Sequence, residues 1–432
     1  MNGMNNKTTI ESITNELLGE HYERIMHKSG LEIVVIHKEC TSKYAVIGTR
    51  FGSADNAFIA DGDKEYTVLP DGVAHFLEHK MFAEPDGTDA LERFAAVGGD
   101  SNAFTSFGKT AYNFSCTESF ALNLEILLDF VTHPYFTSEN VAKEQGIIGE
   151  EIRMYDDSPG WQVYFNMLRG MYHVLPINRD IAGTIESIAE ITPELLYKCY
   201  DCFYDLSNML LVVSGDIDTA EVLDVADRVL PCKESKKVQK MLYGEPKEAV
   251  TERISCEMEV ARPLFSFGIK ESPARKSGLL EEAAYELLLH MMFDGSSDFY
   301  AKHYESGLIS SDFSADFMRD EQCFFADFSG ESDDPDAVAE AIKAEIAYRR
   351  QNFFDKKEFE RAKNGLYAAA LFDYDSPRAM ADQYMTHDFA SHSDFFDYPK
   401  AIASLEYDYV KQMLFERFDT KNSSLSVVMP IK

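Results

Sequence analysis

Positive charge is scarce in this sequence. Lysine and arginine total 41 against 74 aspartates and glutamates, a formal net charge of −33. Nucleic acid and anionic membranes would repel such a chain, so neither is expected as a partner. An acidic interior would favour basic peptides, though most of these acids serve to solvate the surface. Cysteine is sparse too, with seven at positions 40, 116, 199, 202, 232, 256 and 323. An odd count in a chain of 432 residues argues against a disulfide scaffold. Cys199 and Cys202 make a C-x-x-C without a second pair, so they read as thiols on a helix. No stretch comes near the roughly 18 uninterrupted apolar residues that a membrane span requires. The opening residues lack a basic segment followed by an apolar one, so no signal peptide is read there. The compartment expected from these absences is the cytoplasm.

What is present is ordinary globular composition, 45% hydrophobic and 27% charged. The length exceeds one hydrophobic core, so two or more domains are expected. Residues 1 to 28 read as a helix with a polar lead-in. Leu31–His37 and Tyr44–Phe51 are β-branched runs that suit a hairpin. Ser101–Phe107 and Thr110–Thr117 read as paired strands, and Ser138–Met154 as an acidic helix. Asn208–Ser214 is a strand of the buried type. The segment 231–257 is charged and poor in core residues, and reads as a linker. The second half repeats the logic and also ends on a strand, Ser423–Met429. The expected architecture is α+β. It comprises an N-terminal unit over 1–230 and a C-terminal unit over 258–432, each a mostly antiparallel sheet with helices on one side.

The densest chemistry lies in Gly72-Val73-Ala74-His75-Phe76-Leu77-Glu78-His79-Lys80-Met81-Phe82, whose core is H-x-x-E-H. On a helix, His75 and His79 share a face one turn apart. Two such imidazoles make half of a tetrahedral zinc site. Glu78 stands beside them, placed to take a proton from water. Phe76, Leu77, Met81 and Phe82 supply apolar faces to bury the helix. Two histidines four apart also occur as ordinary core or surface residues, so a third donor is needed. Glu144 and Glu151 are seven apart and share one helical face. Periodicity alone leaves the choice between Glu150 and Glu151 open, and acids on this helix also suit a solvated face.

Several ordered segments together resemble the pitrilysin-type M16 zinc metallopeptidases, the inverzincins. They are GVAHFLEHKMF, GGDSNAFTSFGKTAYNFS, KEQGIIGEEIRMYDDSP, IAGTIESIAEIT and NMLLVVSGDID. The resemblance spans most of the chain. It implies two homologous α/β sandwich units of the LuxS/metallopeptidase-like type, forming one half-shell. It implies one zinc ion per chain, with His75, His79 and Glu151 as ligands. Glu78 matches the general base, and Glu144 an acid that orients a ligating histidine. Asn102 and Ala103 match the strand that pairs with extended substrate. The family's Arg and Tyr, which serve the oxyanion, are replaced here by His303 and Ser310. That departure implies a partner chain with the complementary pair, a heteromer in preference to a homodimer. The function expected is zinc-dependent endopeptidase action on extended peptides or unfolded segments, in a chamber shared with that second chain. The alternative is a non-catalytic or maturation-associated subunit of such a complex.

Overall fold

In the computed structural model, which describes residues 7–232, 235–271, 278–320 and 322–431, the most apolar strand organises the first sheet. It is Met209–Gly215, buried along its whole length. A strand apolar on both faces belongs in a sheet centre. The strands in chain order are β1 (Thr9–Asn15), β2 (Glu20–Met26), β3 (Glu32–His37), β4 (Lys43–Thr49), β5 (Ala57–Ile59) and β6 (Thr67–Val68). There follow β7 (Asp100–Thr105), β8 (Thr110–Cys116), β9 (Met209–Gly215) and β10 (Gln239–Lys240). The last are β11 (Arg253–Met258), β12 (Leu264–Lys270), β13 (Ser314–Arg319), β14 (Phe324–Glu331) and β15 (Ser423–Pro430). The first sheet runs β1-β2-β3-β9-β4-β8-β7, and the second β11-β15-β12-β14-β13. A small third sheet runs β10-β5-β6.

Three expectations change. Residues 9–26 form a hairpin, not a helix, with Thr9 opposite Met26 and a turn at the left-handed Gly19. The β-branched residues of Thr9–Asn15 suit an extended backbone, and pairing with β2 decides the matter. β3 and β4 are not a hairpin either. β9 inserts between them, parallel to β3 and antiparallel to β4. The segment 231–257 is more than a linker. β10 pairs with β5, and β11 is an edge strand parallel to β15. An edge strand needs few core residues, which is why its charge reads as connection. By contrast β7 and β8 pair as expected, with Asn102 opposite Asn113 and Ala103 opposite Tyr112.

The second sheet repeats five strands of the first. In both, the last strand of the repeat inserts between the first two, parallel to one and antiparallel to the other. The compact units are nevertheless not sequential halves divided at 231–257. The first comprises Met1–Ile152, Asp180–Met241 and Asp373–Phe389; the second comprises Arg153–Arg179, Leu242–Phe372 and Ala390–Lys432. The helix Pro159–Met171 packs on β12 and β15 of the second unit. Met385, from the helix Pro377–Ser391, packs on β4 of the first. Each exchanged helix lands on a strand glycine. A Cβ on Gly48 would lie 2.6 Å from Met385 Sδ, and one on Gly268 would lie 2.4 Å from Met167 Sδ. No described helix is long and apolar enough to cross a membrane.

The first unit's helices are α1 (Val73–Met81), α2 (Ala90–Ala96), α3 (Phe120–Thr132) and α4 (Ser138–Asp156). α1 starts at Gly72, whose φ of 90° is left-handed. A Cβ there would lie 2.3 Å from the Ala182 carbonyl oxygen, and one on Gly183 would lie 2.4 Å from the Asp71 oxygen. The two loops therefore close backbone to backbone and set where α1 begins. Gly72→Ala combines left-handed strain with a backbone clash and is expected to destabilise the chain by roughly 1–3 kcal/mol. A urea titration with an unshifted midpoint would contradict this.

Candidate metal centre

α1 buries Phe76, Leu77 and Met81 against the unit's core, each no more than 1% exposed. Phe82 stacks on Phe130 at 5.2 Å between ring centroids. That packing fixes which face of α1 turns to α4. The His75 and His79 rings stand 4.6 Å apart on this face. On α4, Ile148 and Ile152 are buried, and Glu150 lies on the exposed side. Glu151 instead faces the histidines. Its carboxylate oxygens lie 3.7 Å from His75 Nε2 and 3.5 Å from His79 Nε2. Two donors at zinc-ligand distance in a tetrahedron sit about 3.4 Å apart. The spacing and the donor set, two imidazoles and one carboxylate, therefore fit a zinc-sized ion.

Glu144 has a different place. One oxygen lies 3.2 Å from His79 Nδ1, and the other accepts from Lys80 Nζ at 2.9 Å. With both oxygens engaged it orients His79 and leaves Nε2 to face Glu151. Lys80 escaped the reading of the sequence, although it follows His79 directly. Thr105 also escaped it. Its hydroxyl donates to Glu78 at 2.6 Å from the end of β7. A hydroxyl on an edge strand carries no signal until the strand's neighbour is known.

The electrostatics follow from burial. Burial pushes His75 down to about 4, His79 adds to that, and Glu151 and Glu144 oppose it. His75 thus keeps a neutral lone pair. Burial also lifts Glu78 above the usual carboxylate range, against the hydrogen bond from Thr105 and the pull of His79. Burial lowers His79, but the Glu144 hydrogen bond and the charges of Glu78 and Glu151 outweigh it, so His79 is raised. Burial raises Glu144, but hydrogen bonds from His79 and Lys80 outweigh it, so Glu144 is lowered.

A cleft of about 800 Å³ opens on this cluster, lined by Glu78, His79, Asn102, Ala103, Glu144 and Ile147 among others. β7 is the last strand of its sheet, so Asn102 and Ala103 lie on an edge. The Ala103 N–H is held by the Asn102 side-chain oxygen at 2.9 Å. His303 and Ser310 lie in the second unit and are engaged locally. His303 packs on Phe299, and the Ser310 hydroxyl meets Asp312 and the Glu331 carbonyl.

Comparison with known proteins decides the family. Residues 62–185 match the profile described as insulinase (peptidase family M16), and residues 190–366 that of the peptidase M16 inactive domain. A Bacillus subtilis protein named zinc protease YmfH, itself uncharacterised, is 36% identical over 98% of this chain and 99% of its own. The chain belongs to the M16 peptidase family. An M16-like peptidase structure from Alicyclobacillus acidocaldarius is 32% identical and superposes with a TM-score of 0.90, covering 98% of this M16 chain and 99% of that one. Pitrilysin, at 16% identity and a TM-score of 0.75, shares the fold. It matches 98% of this chain but only 47% of its own. All five residues of the cluster, His75, Glu78, His79, Glu144 and Glu151, fall in the first matched segment.

Two outcomes follow from the geometry. Glu144→Gln is expected to weaken zinc binding by roughly 10- to 100-fold in a chelator competition, because it loosens His79. Unchanged affinity would remove that role. The second concerns acid stability of the metal-free chain. His75 titrates near 4 when folded and near 6.5 when free, so the unfolded state takes the proton first as pH falls. Folded stability is therefore lost from pH 6.5 down to about 4, by on the order of 3 kcal/mol from this residue. His79, shifted upward, acts in the opposite sense. Comparing wild type with His75→Asn in urea titrations across that window isolates the His75 share. Equal losses in both chains would contradict the assignment.

Proposed function

We propose that this chain is a zinc-dependent endopeptidase acting on extended peptides or unfolded segments. The observation that carries the reading is the convergence of His75, His79 and Glu151 at 3.5 and 3.7 Å, with Glu78 buried beside them. Those three residues would hold the ion. When bound, zinc supplies Lewis-acid polarisation of the scissile carbonyl. Glu78 takes the proton from the attacking water and passes it to the leaving amine. Its raised pKa suits that exchange, because a base that is too acidic holds a proton poorly. Thr105 fixes the Glu78 carboxylate while it does so. Glu144 positions His79.

Substrate docks as an added strand on β7, next to Asn102 and Ala103. The incoming strand takes over the Ala103 N–H from the Asn102 side chain. Main-chain pairing of this kind accepts many sequences if they are extended, which suits unfolded segments. The chain matches about half of pitrilysin, which supports a second half-shell supplied by another chain. His303 and Ser310 stand where the resemblance puts an Arg and a Tyr, which favours a different partner over a second copy. The same substitution favours the second reading, a non-catalytic or maturation-associated subunit.

Glu78→Gln separates the two. It is expected to keep zinc while lowering peptide turnover by roughly 10²- to 10⁴-fold. The measurement is hydrolysis of a peptide library, with and without the partner, beside metal analysis. Wild-type turnover by the variant would sink the role of Glu78. No turnover by wild type under any pairing would favour the subunit reading.

A further inference from the structure

We propose a second divalent-metal site in the first unit, formed by His21, Glu23 and His37. It is separate from the centre on α1. β3 and β7 are divided by β9, β4 and β8, which places them about 19 Å apart at ordinary strand spacing. α1 packs on β7 and β8, at the far end of the sheet from β2.

The strand period builds the cluster. His21 and Glu23 are two residues apart on β2, so they share one face, opposite the buried Tyr22. The β2–β3 register sets His37 directly across from His21. The two rings stack with centroids 5.2 Å apart. His37 Nε2 lies 3.4 Å from Glu23 Oε2, the separation of about 3.4 Å that tetrahedral zinc ligands require. One donor atom from each of the three residues lies within 4.8 Å of the others.

Two hydroxyls meet the donor groups, one on the ligating atoms and one behind them. The Thr219 hydroxyl, at the start of the helix Thr219–Val229, donates to Glu23 Oε2. It stands 3.5 Å from His37 Nε2, so it marks the point where the two donors converge and an ion would displace it. Thr14 Oγ1 lies 3.2 Å from His21 Nδ1, which leaves Nε2 of that ring toward the cluster. A partner on the far nitrogen of an imidazole, as Thr14 is on His21, is what orients metal ligands elsewhere. Two nitrogens and one oxygen select zinc and its first-row neighbours over magnesium or calcium. All three side chains are partly exposed, so the ion has a path in, and the fourth position is left to water. A bound ion would cross-link β2 to β3. The chain would then carry two ions where the family resemblance implies one.

The test is zinc stoichiometry at buffered micromolar free zinc, by mass spectrometry of the metal. Wild type is expected to hold two equivalents. His75→Ala with His79→Ala should hold one, and His21→Ala with His37→Ala should hold one. Glu23→Gln should weaken the second equivalent at least tenfold and leave the circular dichroism spectrum unchanged. Loss of all zinc from the folded His75/His79 double variant overturns the proposal, as does full second-equivalent affinity in Glu23→Gln. If the α1 centre is the one misassigned, wild type holds a single equivalent that disappears only with His21 and His37. Should the His21/His37 double variant not fold, Glu23→Gln decides.

Discussion

The crossing of α1 and α4 is the constraint on which the first unit's chemistry depends. Imidazoles four residues apart on one helix meet carboxylates seven apart on the other. His79 ends up between both acids, with Nδ1 on Glu144 and Nε2 toward Glu151. The two glutamates are distinguished by what else they touch. Glu144 carries Lys80 on its second oxygen, a pair buried on both sides. Glu151 faces both histidines, one oxygen toward each ring. Removing either Glu144 or Lys80 would strand a buried charge, which costs far more than the pair contributes. The crossing is thus fixed electrostatically as well as by packing, and the fixing falls on the residues that orient the donors.

Much of this was legible in the sequence, because the signals are local. The 3.6-residue period of α1 puts His75 and His79 together, and the same period pairs Glu144 with Glu151. Paired strands at residues 100–116 follow from alternation and a short turn. What stayed hidden is non-local. Nothing near Leu31–His37 announces that β9, from far down the chain, will part it from β4. Thr105 and Lys80 acquire meaning only when β7 and α4 arrive beside α1. The hairpin at 9–26 was lost for a related reason, since β1 is an edge strand whose pattern of burial is too weak to read. Likewise the charged stretch before β12 reads as linker because an edge strand buries little.

The exchange of helices between the units has its own sequence trace. The helix at Pro159 follows Asp157-Ser158-Pro159, and the helix at Pro377 follows Asp375-Ser376-Pro377. Proline at the first helical turn starts a new helix and ends the old one. Each departing helix then brings methionine onto a glycine of a central strand, Met385 on Gly48 and Met167 on Gly268. A flexible thioether fills the shallow groove that a glycine leaves. The duplication is thus visible in strand order, in the helix breaks and in these contacts.

The duplication also separates what the fold requires from what the chemistry requires. The helix Leu279–Phe293 ends His290-Met291-Met292-Phe293, matching His79-Lys80-Met81-Phe82. In that alignment Glu286 stands for His75 and Leu289 for Glu78. Six residues before Asp157 is Glu151; six before Asp375 is Ala369. A side chain on Gly365 would meet His290 Nε2 at 3.8 Å, so the helix Lys356–Phe372 crosses there much as α4 crosses α1. Glu286 is taken up by the Tyr398 hydroxyl. Leu289 is 3% exposed where its counterpart Glu78 is 8% exposed. The same helix crossing therefore forms with leucine and alanine in place of the carboxylates. Packing does not call for Glu78, and burying its charge works against stability. Its retention in one repeat alone is best explained by what the carboxylate does beside two imidazoles.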